Sequence, residues 1–100
     1  MNDQHAAATA GPSEDERAVQ DWVLERLAAH LEVPVEQLPE DAVFTEVGLS
    51  SIRAVELVTE IEEQYDLELS PVLLYDHPSV LEVARRVTEA RRGVAAGADG

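Results

Sequence analysis

Two adjacent hydroxyls, Ser50 and Ser51, follow a glycine and open the run Ile52-Arg53-Ala54-Val55-Glu56-Leu57, whose apolar residues recur at helical spacing. Gly48 permits a sharp turn, so Ser51 is expected at the exposed N-terminus of an acidic helix. Such a terminus presents unpaired N–H groups and a partial positive charge, and it tolerates a phosphate ester by about 0.3–1 kcal/mol when exposed. The same residues also suit a plainer role, in which Ser50 or Ser51 simply caps the helix. Residue chemistry alone leaves both readings open.

Other chemistry finds less support. A serine hydrolase built from Ser51, His77 and an acid would need an oxyanion hole and an oriented base, and no Gly-x-Ser-x-Gly elbow is present. His5, His30 and His77 are scattered over a tail, a helix end and a loop, without the converging spacings a metal requires. The absence of cysteine excludes disulfides, thiol catalysis and cysteine-based zinc sites. No catalytic residue and no metal ligand is therefore expected, and the chain is not read as an enzyme.

The elements that must position Ser51 follow from capping signals and periodicity. Ser13-Glu14-Asp15-Glu16 has the form of a capping box and starts helix I. Val19, Val23, Leu27 and Leu31 form its apolar stripe, flanked by Leu24, and Pro34 is expected to end it. Trp22 lies off the stripe, to be partly exposed or packed on a loop. Residues 33–50 form a long connection, with Leu38 and Phe44 as candidate core anchors. Helix II runs from about Ser51 to Tyr65 and buries Ala54, Leu57, Val58, Ile61 and Tyr65. Arg53, Glu56, Glu60 and Glu63 face outward, with Ile52, Val55 and Thr59 on the flank between. Ser70-Pro71 introduces a short helix III over Val72–Tyr75. Ser79-Val80-Leu81-Glu82 caps helix IV, which buries Val80, Val83, Ala84 and Val87 and stops at Gly93. The expectation is an all-α four-helix bundle, three helices long and one short, over residues 13–92. Residues 1–12 and 93–100 are small and polar and read as disordered tails.

The stretch Phe44-Thr45-Glu46-Val47-Gly48-Leu49-Ser50-Ser51-Ile52 resembles the signature Gly-x-Asp-Ser-Leu/Ile of the acyl carrier protein family. Glu56-Leu57, the Leu67–Leu69 pair and Leu73-Leu74-Tyr75-Asp76-His77-Pro78-Ser79 fit the same family downstream, so the resemblance covers roughly residues 14–92. It implies that Ser51 receives a covalent 4′-phosphopantetheine from coenzyme A, moved by a separate phosphopantetheinyl transferase. The arm's thiol would then hold cargo as a thioester. The resemblance also implies that helix II is read by acyl-loading, condensing and tailoring enzymes, through Ile52, Arg53, Val55, Glu56, Glu60 and Glu63. One position departs from the family, because Ser50 stands where Asp usually precedes the attachment serine. Ser50 can still cap a helix but brings no charge. Either a tolerant transferase acts here, or the chain is modified poorly or is an unmodified interaction domain. Gly48-Leu49 and the Leu73–Pro78 run are more similar to polyketide-type carriers than to fatty-acid carriers, with a peptidyl carrier of nonribosomal peptide synthesis as the alternative.

A formal net charge of −14 fits that role. Residues 1–70 hold 17 acids against three arginines, whereas residues 71–100 hold four of each sign, and there is no lysine. Nucleic acid would be repelled and basic protein surfaces attracted. No segment is apolar enough to span a membrane and no signal peptide precedes the domain, so a cytoplasmic monomer is expected. The initial Met and short polar ends suit a free-standing protein, although a domain excised from a larger synthase would look similar. Mutual repulsion of the acids gives a first testable outcome: the melting temperature should rise with added NaCl. A fall would contradict a charge-limited fold.

Overall fold

Each helix buries a stripe spaced by three and four residues, and the stripes meet in one core. The structure is a computed structural model that describes residues 13–99, with side chains through residue 93. Its helices are α1 (Glu14–Leu31), α2 (Ser51–Tyr65), α3 (Leu73–Asp76) and α4 (Val80–Asp99), with a 3-10 turn at Val35–Gln37. Among the described residues there is no β-strand, only an isolated antiparallel bridge between Val43 and Ser79. The all-α four-helix bundle expected from the sequence is what forms. Val19, Val23 and Leu27 of α1 pack on Leu57, Val58 and Ile61 of α2, Leu73 and Leu74 of α3, and Val80, Val83 and Val87 of α4.

The caps explain where the helices start. Ser13 Oγ accepts from Glu16 N–H at 3.1 Å, and Ser79 Oγ from Glu82 N–H at 3.3 Å. Both stop signals need correction. Helix α1 ends at Leu31, ahead of the influence of Pro34, because Glu32 turns left-handed at φ 59°. The N–H groups of Glu32 and Val33 then close back on Ala29 and Ala28 at 3.2 and 3.1 Å, satisfying carbonyls the helix would otherwise orphan. At the other end of the chain, Gly93 does not stop α4, which continues to Asp99. Gly93 lacks the left-handed backbone of a terminating glycine, and Val94-Ala95-Ala96 after it sustain the helix. Residues 94–99, expected as part of a tail, are thus helical in backbone. The expected N-terminal tail, residues 1–12, lies outside the described residues.

Helix α3 begins one residue later than expected. Ser70 Oγ accepts from Val72 N–H at 3.2 Å, so Ser70-Pro71-Val72 forms a turn that leads into Leu73. Trp22 is partly exposed, the first of the two expected outcomes, and its inner side packs on a helix and not on a loop: its ring meets Tyr65 of α2 edge-on, centroids 5.6 Å apart at 79°. The Arg91 guanidinium of α4 lies 5.0 Å over the other partner, the Tyr65 ring, so three helices join there.

The long connection is fastened and does not float. Phe44 is buried as expected and Leu38 half-buried, but the fully enclosed residue is Ala42. Phe44 N–H donates to Pro78 O at 3.0 Å and Val80 N–H to Ala42 O at 2.9 Å. Asp41 Oδ1 accepts from Leu81 N–H at 3.0 Å, while Gln20 Nε2 of α1 donates to Glu40 O, also at 3.0 Å. The connection is therefore tied to α1 on one side and to the start of α4 on the other.

Candidate functional site

From Val43 the chain tightens into a turn: Val47 N–H reaches Val43 O at 3.1 Å and Leu49 N–H reaches Phe44 O at 3.1 Å. Gly48 sits at φ 89°, a backbone that residues with a Cβ rarely adopt, and the space beside it is open. The turn delivers Ser50 as the cap of α2, extended at φ −75° and ψ 163°, its Oγ accepting from Arg53 N–H at 3.2 Å. The structure thus divides the two serines. Ser50 does the capping, and Ser51, the first helical residue, is free of that task and exposed.

The local field favours an anion. Helices α1 and α4 carry acids in their first turns, which complement the positive end of each helix. Helix α2 has no acid in its first turn. A phosphate on Ser51 Oγ would therefore be the anion that complements this terminus, with exposed space for a long substituent. Ser50 retains the capping half of what an Asp would do there and omits its charge.

One neighbour of Ser51 was not foreseen. Tyr75 Oη donates to Ser51 Oγ at 3.2 Å, bridging from α3 to the start of α2. The sequence hinted at its exposure, because a one-turn helix that buries Leu73 and Leu74 must send the next residue outward. Its meeting with Ser51 had no local signal. The four large apolar residues most exposed, Ile52 (73%), Tyr75 (56%), Val55 (48%) and Val72 (48%), all lie on α2 or at α3. Expected flank residues Ile52 and Val55 are thus accessible, and Val72 and Tyr75 add to the apolar surface.

The acidic face of α2 needs a correction. Glu56 and Glu63 are outward as expected, but Glu60 is turned into the groove against α1. Arg26 Nε and Nη2 grip Glu60 Oε1 and Oε2 at 3.1 and 3.3 Å, and His30 Nε2 meets Oε1 at 3.1 Å. Partial burial works to raise the Glu60 pKa, but the hydrogen bonds from Arg26 and His30 outweigh it and hold the carboxyl below its usual range. The same bond, with the charge of Glu60, raises Arg26. Arg53 Nη1 pairs with Glu56 Oε1 at 3.2 Å, three positions along the same helix. Arg26 and His30, four apart on α1, face Glu60 and Glu56, four apart on α2, a matched spacing that brings them together once the two helices pack. Among the described residues no acidic, histidine or cysteine cluster could hold a metal ion.

A family model described as a phosphopantetheine attachment site matches residues 21–87. Among curated proteins, the chain is 40% identical over 58 residues to one component of the phenolphthiocerol/phthiocerol polyketide synthase of Mycobacterium tuberculosis, covering 58% of this chain and 3% of that protein. It is 29% identical over 89 residues to polyketide synthase PksM of Bacillus subtilis, covering 89% and 2% respectively. The chain therefore spans only a small part of these relatives. Among solved structures it is similar to a free-standing peptidyl carrier protein from an Acinetobacter baumannii secondary metabolic pathway, with TM-score 0.72, 28% identity, and coverage of 77% of this chain and 96% of that one. It is also similar to the HMG-ACPI domain of the CurA module from Lyngbya majuscula, with TM-score 0.67, 30% identity, and coverage of 75% and 77%.

The α1–α2 grip gives a pH-dependent outcome. A carboxyl held below its usual range adds stability above its unfolded pKa, and that stability fades as pH falls through the folded pKa. Glu60→Gln should therefore lower stability by about 1 kcal/mol near pH 7, a deficit that urea titration should find largely gone near pH 3. An equal deficit at both pH values would mean that the charge of Glu60 contributes nothing.

Proposed function

This chain belongs to the phosphopantetheine-attachment family, and from that premise we propose that Ser51 is the attachment point and that pathway intermediates ride on the arm as thioesters. The observation that carries the assignment to Ser51 is its exposed hydroxyl at the first position of α2, beside a capping Ser50 and without an acid in that turn. A phosphopantetheinyl transferase brings coenzyme A to this hydroxyl. The Oγ–phosphorus bond forms as the pyrophosphate bond breaks, the adenine nucleotide half leaves, and the hydroxyl proton passes to the transferase. When attached, the arm supplies a terminal thiol to a chain that has no cysteine of its own. The role of the chain is to hold and deliver, and the bond-making is left to partner enzymes.

The polyketide relatives support intermediates of polyketide type. The structural likeness to a peptidyl carrier keeps nonribosomal peptide intermediates as the second reading. Partners that load, condense or tailor the cargo would approach α2, where Glu56 and Glu63 offer charge and Ile52 and Val55 offer apolar contact beside Ser51. Arg53 sits inside that face and tempers its charge by pairing with Glu56. Glu60 serves the face indirectly by holding α1 against α2. No helix among the described residues is long and apolar enough to cross a membrane, and a monomer working in the cytoplasm suits a shuttle between enzymes.

Two outcomes test this reading. Incubation with coenzyme A and a broad-specificity phosphopantetheinyl transferase should add one phosphopantetheine mass to the wild-type protein and none to Ser51→Ala. Addition persisting in Ser51→Ala would move the site to another hydroxyl, Ser50 first, and no addition across several transferases would favour an unmodified interaction domain. Separately, a Glu56→Arg, Glu63→Arg double variant should lose about tenfold in transferase kcat/KM at low salt with its helicity intact. Unchanged turnover would remove these acids from the docking face.

A further inference from the structure

Tyr75 has no assigned task in capping or in the core, yet its phenol is aimed at the Ser51 hydroxyl across 24 positions of sequence. The other polar side chains at the start of α2 are engaged elsewhere: Ser50 Oγ holds Arg53 N–H and the Arg53 guanidinium holds Glu56. Tyr75 is thus the side-chain donor directed at Oγ among the described residues. A bond between two exposed hydroxyls contributes little in water, because water replaces it readily.

That geometry acquires a different value once Oγ becomes a phosphate ester. An ester oxygen accepts weakly, whereas the two non-bridging oxygens of the diester share a full negative charge. They lie on the phosphorus bonded to Oγ, so a donor at 3.2 Å from Oγ comes within reach of one by a small swing of the side chain about Cα–Cβ and rotation of its O–H. Hydrogen bonds to ionised acceptors are shorter and roughly twice as strong as neutral ones.

We infer that Tyr75 is the hydrogen-bond donor to the phosphodiester of the modified protein, a positioning residue that sets the direction in which the arm leaves α2. The inference rests on attachment at Ser51. Its second consequence is mechanical. Helix α3 is a single turn, too short to be stable by itself, and a bond from its Tyr75 to the phosphate pins it to the start of α2. Attachment thereby firms the α2–α3 edge, where Val72 and Tyr75 are exposed beside Ile52 and Val55.

The test compares unmodified and modified forms of the wild type and of Tyr75→Phe, which keeps the ring and removes only the hydroxyl. Mass spectrometry confirms each state, and thermal melting and phosphorus NMR supply the readouts. Modification should raise the melting temperature of the wild type by about 4 °C more than that of Tyr75→Phe. The phosphodiester resonance should also differ between the two modified proteins. Equal increments with superimposable resonances would overturn the role of Tyr75 while leaving attachment intact. A wild-type protein that gains no mass would instead overturn attachment at Ser51, and the role of Tyr75 with it.

Discussion

Two backbone hydrogen bonds, Phe44 N–H to Pro78 O and Val80 N–H to Ala42 O, hold the site together. They clamp the long first connection to the start of α4, and both arms of the clamp lead to Ser51. One arm runs through Phe44 and the turn at Gly48 into the cap of α2. The other runs backward through His77 to α3, whose Tyr75 faces the same hydroxyl. A loop of this length would otherwise expose unpaired backbone groups and wander. Fastened at its middle and anchored by buried Phe44 and Ala42, it presents one serine reproducibly while leaving it in water.

Electrostatics then separate two jobs that a strongly acidic surface could confuse. Most of the acids lie in residues 1–70, and a chain of net charge −14 is a poor host for another anion. The start of α2 is spared because its first turn contains no acid and its cap is an uncharged serine. Further along α2 the acids diverge in role. Glu60 closes with Arg26 and His30 to brace α1 against α2, whereas Glu56 and Glu63 remain at the surface. The helix is thus structural on one edge and available on another. Ser50 fits this division: it keeps the cap that starts the helix and adds no charge beside Ser51.

Size limits how much such a bundle can bury. A domain of this size buries only about 60–65% of its unfolded surface. It suffices to hold one hydroxyl in a defined direction. On the proposed reading, a flexible arm at Ser51 would extend the reach of that hydroxyl, with the bundle as its frame.

Most of what depends on neighbours within about one helical turn was legible in the residues themselves, the helix ends at Leu31 and Gly93 excepted. Ser13 and Ser79 cap their helices, α2 runs from Ser51 to Tyr65, and the core stripes of α1, α2 and α4 follow the apolar spacing except at the helix ends, where Leu31 and Tyr65 are only half-buried. Capping and helical periodicity are hydrogen bonds and contacts between positions three and four apart, so the sequence contains both partners. Even the choice of Ser50 over Ser51 as the cap, left open in the residues, turned on a single turn of backbone. The docking of Trp22 on Tyr65, the withdrawal of Glu60 toward Arg26 and the approach of Tyr75 to Ser51 are of another kind. Their partners lie 24 to 43 positions apart in the chain, and only the packing of helices against one another decides which side chains come within reach. The sequence by itself determined where the three long helices begin and which side each buries, because both depend on positions three and four apart; the tertiary structure decided what the remaining sides touch.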